Sequence, residues 1–257
     1  MFRSMKSRVL FPAVIGLAPL MAAADDAPPP QGVWTGKGQA GYVSAKGNSD
    51  SKSANAALDM ALLEGPWNHT FHFDGLYGQS GGIVAAERWD TRWQSNYDLT
   101  QQVFTFGGLR FEHDLFSGFQ YQASGAVGLG YKFFDTNAVK LSVQAGVGYR
   151  KLRPEDLTRD ASGQVTTRTL EPSEGGSVGV LGLTYSQALN ATTRLSDTLL
   201  VETSSRDSLT TNALALAVKI STKLALSVGY HIVDNTKPPA GVKKLDTLQT
   251  LNLVYAF

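Results

Sequence analysis

The 257 residues contain no cysteine. Disulfides, thiolate metal sites and cysteine nucleophiles are therefore excluded, and so is a lipid anchor attached through a cysteine. Beyond the N-terminal region, no apolar run approaches the roughly 20 residues that a membrane-spanning helix needs. Charge is balanced and scattered, with 23 Lys and Arg against 22 Asp and Glu. That argues against a nucleic-acid partner, which calls for a clustered basic surface. No His-Glu-x-x-His metal helix and no Walker loop occur. The sequence calls for no cofactor and no metal.

Glycine is plentiful, at 26 residues. It weakens strands unless backbones must approach closely or a sheet must bend. The N-terminal stretch has basic Arg3, Lys6 and Arg8, an apolar run over residues 9–21, and then Ala22-Ala23-Ala24. This pattern predicts a secretory signal peptide over residues 1–24. Its removal leaves 20 Lys and Arg against 22 acids, a net charge of about −2. Residues 25–33, rich in proline, read as a periplasmic leader, and residues 34–257 as one domain.

The last residues show the pattern that governs this domain. Leu251, Leu253, Tyr255 and Phe257 are two apart, with Asn252, Val254 and Ala256 between them. Alternate side chains of a strand point to opposite faces. The stretch near residue 93 alternates more sharply. Trp89, Thr91, Trp93, Ser95, Tyr97 and Leu99 share one face; Arg88, Asp90, Arg92, Gln94, Asn96 and Asp98 share the other. A soluble core rejects the second face and an aqueous surface rejects the first. A wall between lipid and a wet lumen accepts both.

Similar alternation recurs along the chain, although residues 54–62 also fit a helix. Phe119, Tyr121, Val127, Leu129, Tyr131 and Phe133 are expected outward. Phe104 and Phe106 share one phase while Leu109 and Phe111 share the other. Gly107-Gly108 lies at the switch, where a bulge is expected. The result is an all-β fold: a transmembrane, antiparallel, up-and-down barrel of about 12 strands with periplasmic termini. Connections near Gly65, Thr100, Thr136, Asn190 and Ser221 are short and fall on the periplasmic side. Those near Gly81, Ser117, Pro172 and Pro239 are longer and fall on the extracellular side, with residues 153–176 as one long loop. Trp67, Trp89, Trp93, Tyr97, Tyr121 and Tyr131 fit interfacial girdles; ordinary strand packing is the alternative.

Several short motifs also carry a resemblance. Lys46-Gly47-Asn48-Ser49-Asp50 follows the first strand. Arg110-Phe111-Glu112-His113-Asp114, Gly128-Leu129-Gly130-Tyr131, Gly146-Val147-Gly148-Tyr149-Arg150 and Val254-Tyr255-Ala256-Phe257 come after it in order. Together they resemble the salt-induced outer-membrane proteins of Gram-negative bacteria, a domain of unknown function, over nearly all of the mature chain. His113 departs from an acidic residue in that pattern. The resemblance implies an outer-membrane location and a link to salt or osmotic stress. It implies no reaction and no ligand. Tyr255 and Phe257 resemble the terminal aromatic signal by which the barrel-assembly machinery recognises outer-membrane barrels.

The inward face supplies the candidate functional residues: His72, Asp74, Arg88, Asp90, Arg92, Asp98, Lys132, Arg150, Arg194, Glu202, Lys219 and His231. One reading is a polar pore whose charges select small hydrophilic solutes. Another is a lumen cross-linked by salt bridges that conducts nothing. An enzyme, a lipid or peptide hydrolase, stands behind both. It would use His72 with Asp74 as a general-base dyad, or His113 with Glu112 and Asp114 at the outer rim. The bland counterparts are a hydrogen-bonded lumen pair and a solvated rim. The expected partners are outer-membrane lipid and lipopolysaccharide, and the assembly machinery during biogenesis. The barrel is expected to be a monomer.

Overall fold

A computed structural model describes residues 31–45, 51–115, 117–160, 165–238 and 243–257. The expected signal peptide, most of the leader, the Lys46–Asp50 turn and the Pro239 connection lie outside the described residues.

The described chain forms strands throughout. They are β1 Trp34–Ala45, β2 Ser51–Glu64, β3 Trp67–Ser80, β4 Ile83–Asp98, β5 Val103–Asp114, β6 Phe119–Asp135 and β7 Val139–Arg159. Then follow β8 Val165–Leu170, β9 Glu174–Ala188, β10 Thr193–Thr203, β11 Ser208–Lys219, β12 Leu224–Asn235 and β13 Leu245–Ala256. The stretch with an alternative helical reading is the strand β2. Each strand pairs antiparallel with the next from β1 to β7; β7 then pairs with β9, and the order continues to β13. β13 returns to β1, which closes a barrel of 12 strands. β8 stays outside the wall and pairs only with the outer part of β7.

Closure follows from the two faces. Leu109, Val127, Val147 and Leu251 point outward and are each more than 60% exposed. A belt of such residues around a closed wall fits lipid, not water. Trp34, Trp67, His69, Trp93 and Tyr97 cluster at the end where the wall begins, with Trp67 and Tyr97 ring centres 4.9 Å apart. Trp89, Phe111 and Tyr121 stack near the other end, at 5.2 and 5.8 Å. Trp89 and Tyr97 are eight residues apart on β4. That is about 26 Å of strand, or about 20 Å of height at a tilt near 40°. The two groups lie at the two ends of an apolar band of the outer face, where the girdles are expected. Asp197, out of pattern on the outer face, takes a hydrogen bond from Asn212 at 2.8 Å.

The closing seam is short. β1 meets β13 through four residue pairs, from Lys37 with Ala256 to Ala40 with Leu253. Just above it, Asn55 of β2 donates to Asn252 of β13 at 3.1 Å across Gly41, whose backbone leaves room for both side chains.

Four expectations need correction. No bulge occurs at Gly107-Gly108: β5 keeps register with β6 from Val103 to Glu112, and the irregularity falls between Glu112 and Asp114. Phe104 and Phe106 therefore point into the lumen, at 3% and 5% exposure. The reason lies on the neighbouring strands. Gly128, Gly130 and Gly146 present bare backbone to the two rings. Second, Phe119 is buried rather than lipid-facing, because register shifts near Asp114 and Tyr121 turn it inward. Third, β3 and β4 join through Gly81-Gly82 alone, with φ of 60° and 80°. This two-residue turn needs glycine and is no long loop; the connection near Ser117, residues 115–118, is likewise no longer than those at 99–102 and 189–192. Fourth, the expected loop 153–176 is largely a hairpin: β7 runs on to Arg159 and β8 folds back along it, Glu155 opposite Leu170. Arg168 pairs with Glu155 inside this hairpin, at 3.1 Å, and also donates to the Leu115 carbonyl at the end of β5, which holds the hairpin down.

Leu251→Arg is expected to lower the folding free energy in phospholipid by about 2–4 kcal/mol if the site lies near mid-bilayer, read from denaturant titration. Gly128→Ala would set a Cβ 2.6 Å from the Gly146 Cα, backbone that cannot swing aside. A loss of about 1–3 kcal/mol is expected, as for other overpacked sites, and a lower temperature for loss of heat-resistant gel mobility checks it.

Candidate functional site

Strand register gathers the inward charges into rows. Lys37, Asp59, His72, Arg92 and Arg110 are direct cross-strand neighbours on β1 to β5. One inward position further along, Asp74, Asp90 and Glu112 stand side by side on β3, β4 and β5. Like charges directly opposite repel. The two rows relieve this by pairing with each other, along each strand and, from Arg110 to Asp90, diagonally between β5 and β4.

The contacts are short and mutual. His72 lies between two carboxylates, Nδ1 2.6 Å from Asp59 Oδ1 and Nε2 2.9 Å from Asp74 Oδ1. Lys37 Nζ is 3.5 Å from the other Asp59 oxygen. Asp90 has Arg92 Nε at 2.7 Å and accepts from Arg110 Nε at 2.9 Å. Arg110 also binds Glu112, and its Nη1 reaches Glu202 of β10 at 3.5 Å, from the far wall. Arg88 Nη2 is 3.1 Å from Glu112. Gln94 of β4 donates to Gln144 of β7 at 3.1 Å, and Arg150 of β7 binds Asp207 beyond β10. Asp74 and Asp90 have no exposed surface, and Glu202 and His231 are buried beside them. The middle of the lumen is thus a continuous charged and polar packing.

The residues expected to face inward lie at three heights. His72, Asp74, Arg88, Asp90, Arg92, Glu202 and His231 belong to or border the central network, with Arg150 on its outer side. Asp98 and Lys132 form a separate pair at 2.7 Å toward the end of the barrel that holds Trp34 and Phe257. Arg194 and Lys219 line the mouth at that end. Arg110, Glu112, Asp59 and Lys37 were not among the expected lumen residues. Arg110 and Glu112 become visible once β5 is read with one unbroken phase from Phe104. Tyr255 lies on the outer face, and the Phe257 ring lies against Gly36, with which its backbone exchanges two hydrogen bonds of 2.9 and 3.0 Å.

The chemistry available is limited by this packing. Both nitrogens of His72 are already engaged. His113 points outward beside Trp89, while Glu112 lies in the lumen, so they form no rim dyad. Two stretches, 78–82 and 175–179, have Gly-x-Ser-x-Gly spacing, but Ser80 and Ser177 sit in strands, not at a strand-to-helix elbow. His72, Asp74 and Asp90 could offer a metal three ligand atoms within 4.8 Å of one another. Arg92 and Arg110 already occupy the Asp90 carboxylate, and their charges oppose a cation there.

Comparison with solved structures finds similar barrels. The translocator domain of the autotransporter NalP from Neisseria meningitidis is 14% identical, with a TM-score of 0.46, over 87% of this chain and 87% of that one. The NanC porin is 14% identical, with a TM-score of 0.44, over 88% of this chain and 99% of that one. The TodX monoaromatic hydrocarbon channel is 11% identical, with a TM-score of 0.40, over 88% and 90%. No curated protein sequence matches the chain. One family pattern matches residues 38–257, which is the barrel almost from end to end, and the chain belongs to that family, described as a protein of unknown function, DUF481.

Proposed function

We propose that this protein is a bacterial outer-membrane barrel whose lumen is sealed at rest, a structural wall element rather than an open diffusion pore. The observation that carries the reading is the reach of Arg110 across the lumen to Glu202, with Asp74 and Asp90 fully enclosed behind it. A diffusion pore needs a hydrated path past its charged residues. Here opposite charges consume one another instead. Outer-membrane lipid and lipopolysaccharide contact the apolar belt, the assembly machinery inserts the chain, and the barrel works as a monomer. The hydrolase reading has less support, because His72 is locked between Asp59 and Asp74.

A link to salt or osmotic stress rests on the resemblance in sequence. The sealed lumen suits it in one respect. Buried ion pairs are screened far less by salt than exposed ones, so the plug holds as outside ionic strength changes.

The test is single-channel conductance of the refolded protein in a planar bilayer. The wild type is expected to insert without discrete steps. Asp90→Ala leaves Arg92 and Arg110 without that carboxylate, which costs about 3–5 kcal/mol for a broken buried pair, and discrete steps are expected to appear. Regular steps in the wild type would overturn the sealed reading.

A further inference from the structure

We propose that the periplasmic mouth of the barrel is a binding site for a tetrahedral oxyanion of the phosphate class. The site is a cavity of about 50 Å³ between the turns that join β9 to β10 and β11 to β12. Its charged lining consists of Lys37, Arg194, Lys219 and Lys223, and no carboxylate lines it. Lys37 is paired with Asp59 and Lys223 lies over the outward Tyr255 ring, so the excess of positive charge here rests on Arg194 and Lys219.

Arg194 is the centre of the argument. It is 9% exposed. Its guanidinium donates to Ser186 Oγ at 2.9 Å and to the Asn137 carbonyl at 3.1 Å, both neutral. The network arginines behave otherwise: Arg88 faces Glu112, Arg110 faces Asp90, and Arg150 faces Asp207. A buried charge without a counter-charge is unfavourable, and Arg194 has none among the described residues. Lys219 likewise has no carboxylate partner among them. Lys223 lies over the Tyr255 ring, at 5.8 Å. Lys37 shares its charge with Asp59.

Shape agrees with charge. A water needs about 10–15 Å³ of such space, so the cavity admits roughly three to five small atoms. That is the scale of phosphate or sulfate. The N–H groups that the Arg194 guanidinium does not give to Ser186 and Asn137 can donate to such an anion, and the Ser221 hydroxyl in the lining, which accepts from the Lys223 and Leu224 amides, can donate to another oxygen. The phosphate group could come free from the periplasm or on a lipid headgroup at the inner rim; the recognition chemistry is the same.

The experiment is isothermal titration calorimetry on the refolded full chain in a phosphate-free detergent at low ionic strength. Inorganic phosphate is titrated in one arm and short-chain phosphatidylglycerol in the other. Saturable binding in either arm is expected, and the arm that shows it identifies the source. Arg194→Gln is expected to weaken it at least tenfold, Lys219→Gln several-fold, and Arg194→Lys by an intermediate amount, since charge remains but the fork is lost. Arg206→Gln, an exposed residue at the opposite end, should leave it unchanged. Heat-shifted gel mobility confirms folding, and Lys219→Gln at the rim keeps the test decisive if an Arg194 variant fails to fold. No saturable binding in either arm, or undiminished binding in Lys219→Gln and the folded Arg194 variants, would overturn the proposal.

Discussion

Asp74, Asp90 and Glu112 stand abreast in the wall of this barrel, with Arg92 and Arg110 abreast beside them. Neither row is tolerable alone, because cross-strand like charges repel and buried charges need partners. Set side by side, they pair along β4 and β5 and diagonally between them, from Arg110 to Asp90, and Arg110 carries the connection to β10. A one-residue slip between these strands would turn the charges toward lipid. Such networks add little net stability, since desolvation offsets much of the attraction. Their effect is on alternatives: any partial opening separates a charge from its partner, so the packed lumen and the correct register enforce each other.

Most of the architecture was legible because lipid outside and a polar lumen inside impose a period of two. The alternation around Trp93 needed no neighbour to interpret it. The misreading of β5 shows the limit of that logic. A switch of phase expected at Gly107-Gly108 puts Phe104 and Phe106 on the same face as Leu109 and Phe111, toward lipid. Their room in the lumen is made by Gly128, Gly130 and Gly146 on two other strands, a fact no local window of sequence contains. The same assumed switch hid Arg110 from the inward set. In the stretch 153–176, scattered charge and two prolines masked a hairpin. The β-branched run Val165-Thr166-Thr167, followed by Thr169, was the available signal. For Arg194, the sequence gives its inward phase; the want of an acid around it depends on which turns meet at the mouth.

The interior therefore changes character along its axis. Near the periplasmic side, Phe104 and Phe106 fill one wall, with the cationic mouth among β9 to β13. The centre is ionic. Toward the outside, the hairpin of β7 and β8 is fastened by Arg168 to the Leu115 carbonyl, and Tyr121 is hydrogen-bonded to Ser173 at 3.2 Å. Each level uses a different means of excluding space: apolar rings on bare glycine backbone, paired charges, and folded chain.

The four-pair seam between β1 and β13 has a mechanical meaning. Neighbouring seams such as β12 with β13 run through eleven pairs. A ladder separates rung by rung from its weaker end, so a pulling force on the wall concentrates at Ala40 and Leu253. Under tension the cylinder would part first along this line, as a zipper does, with the Asn55–Asn252 bridge as its catch.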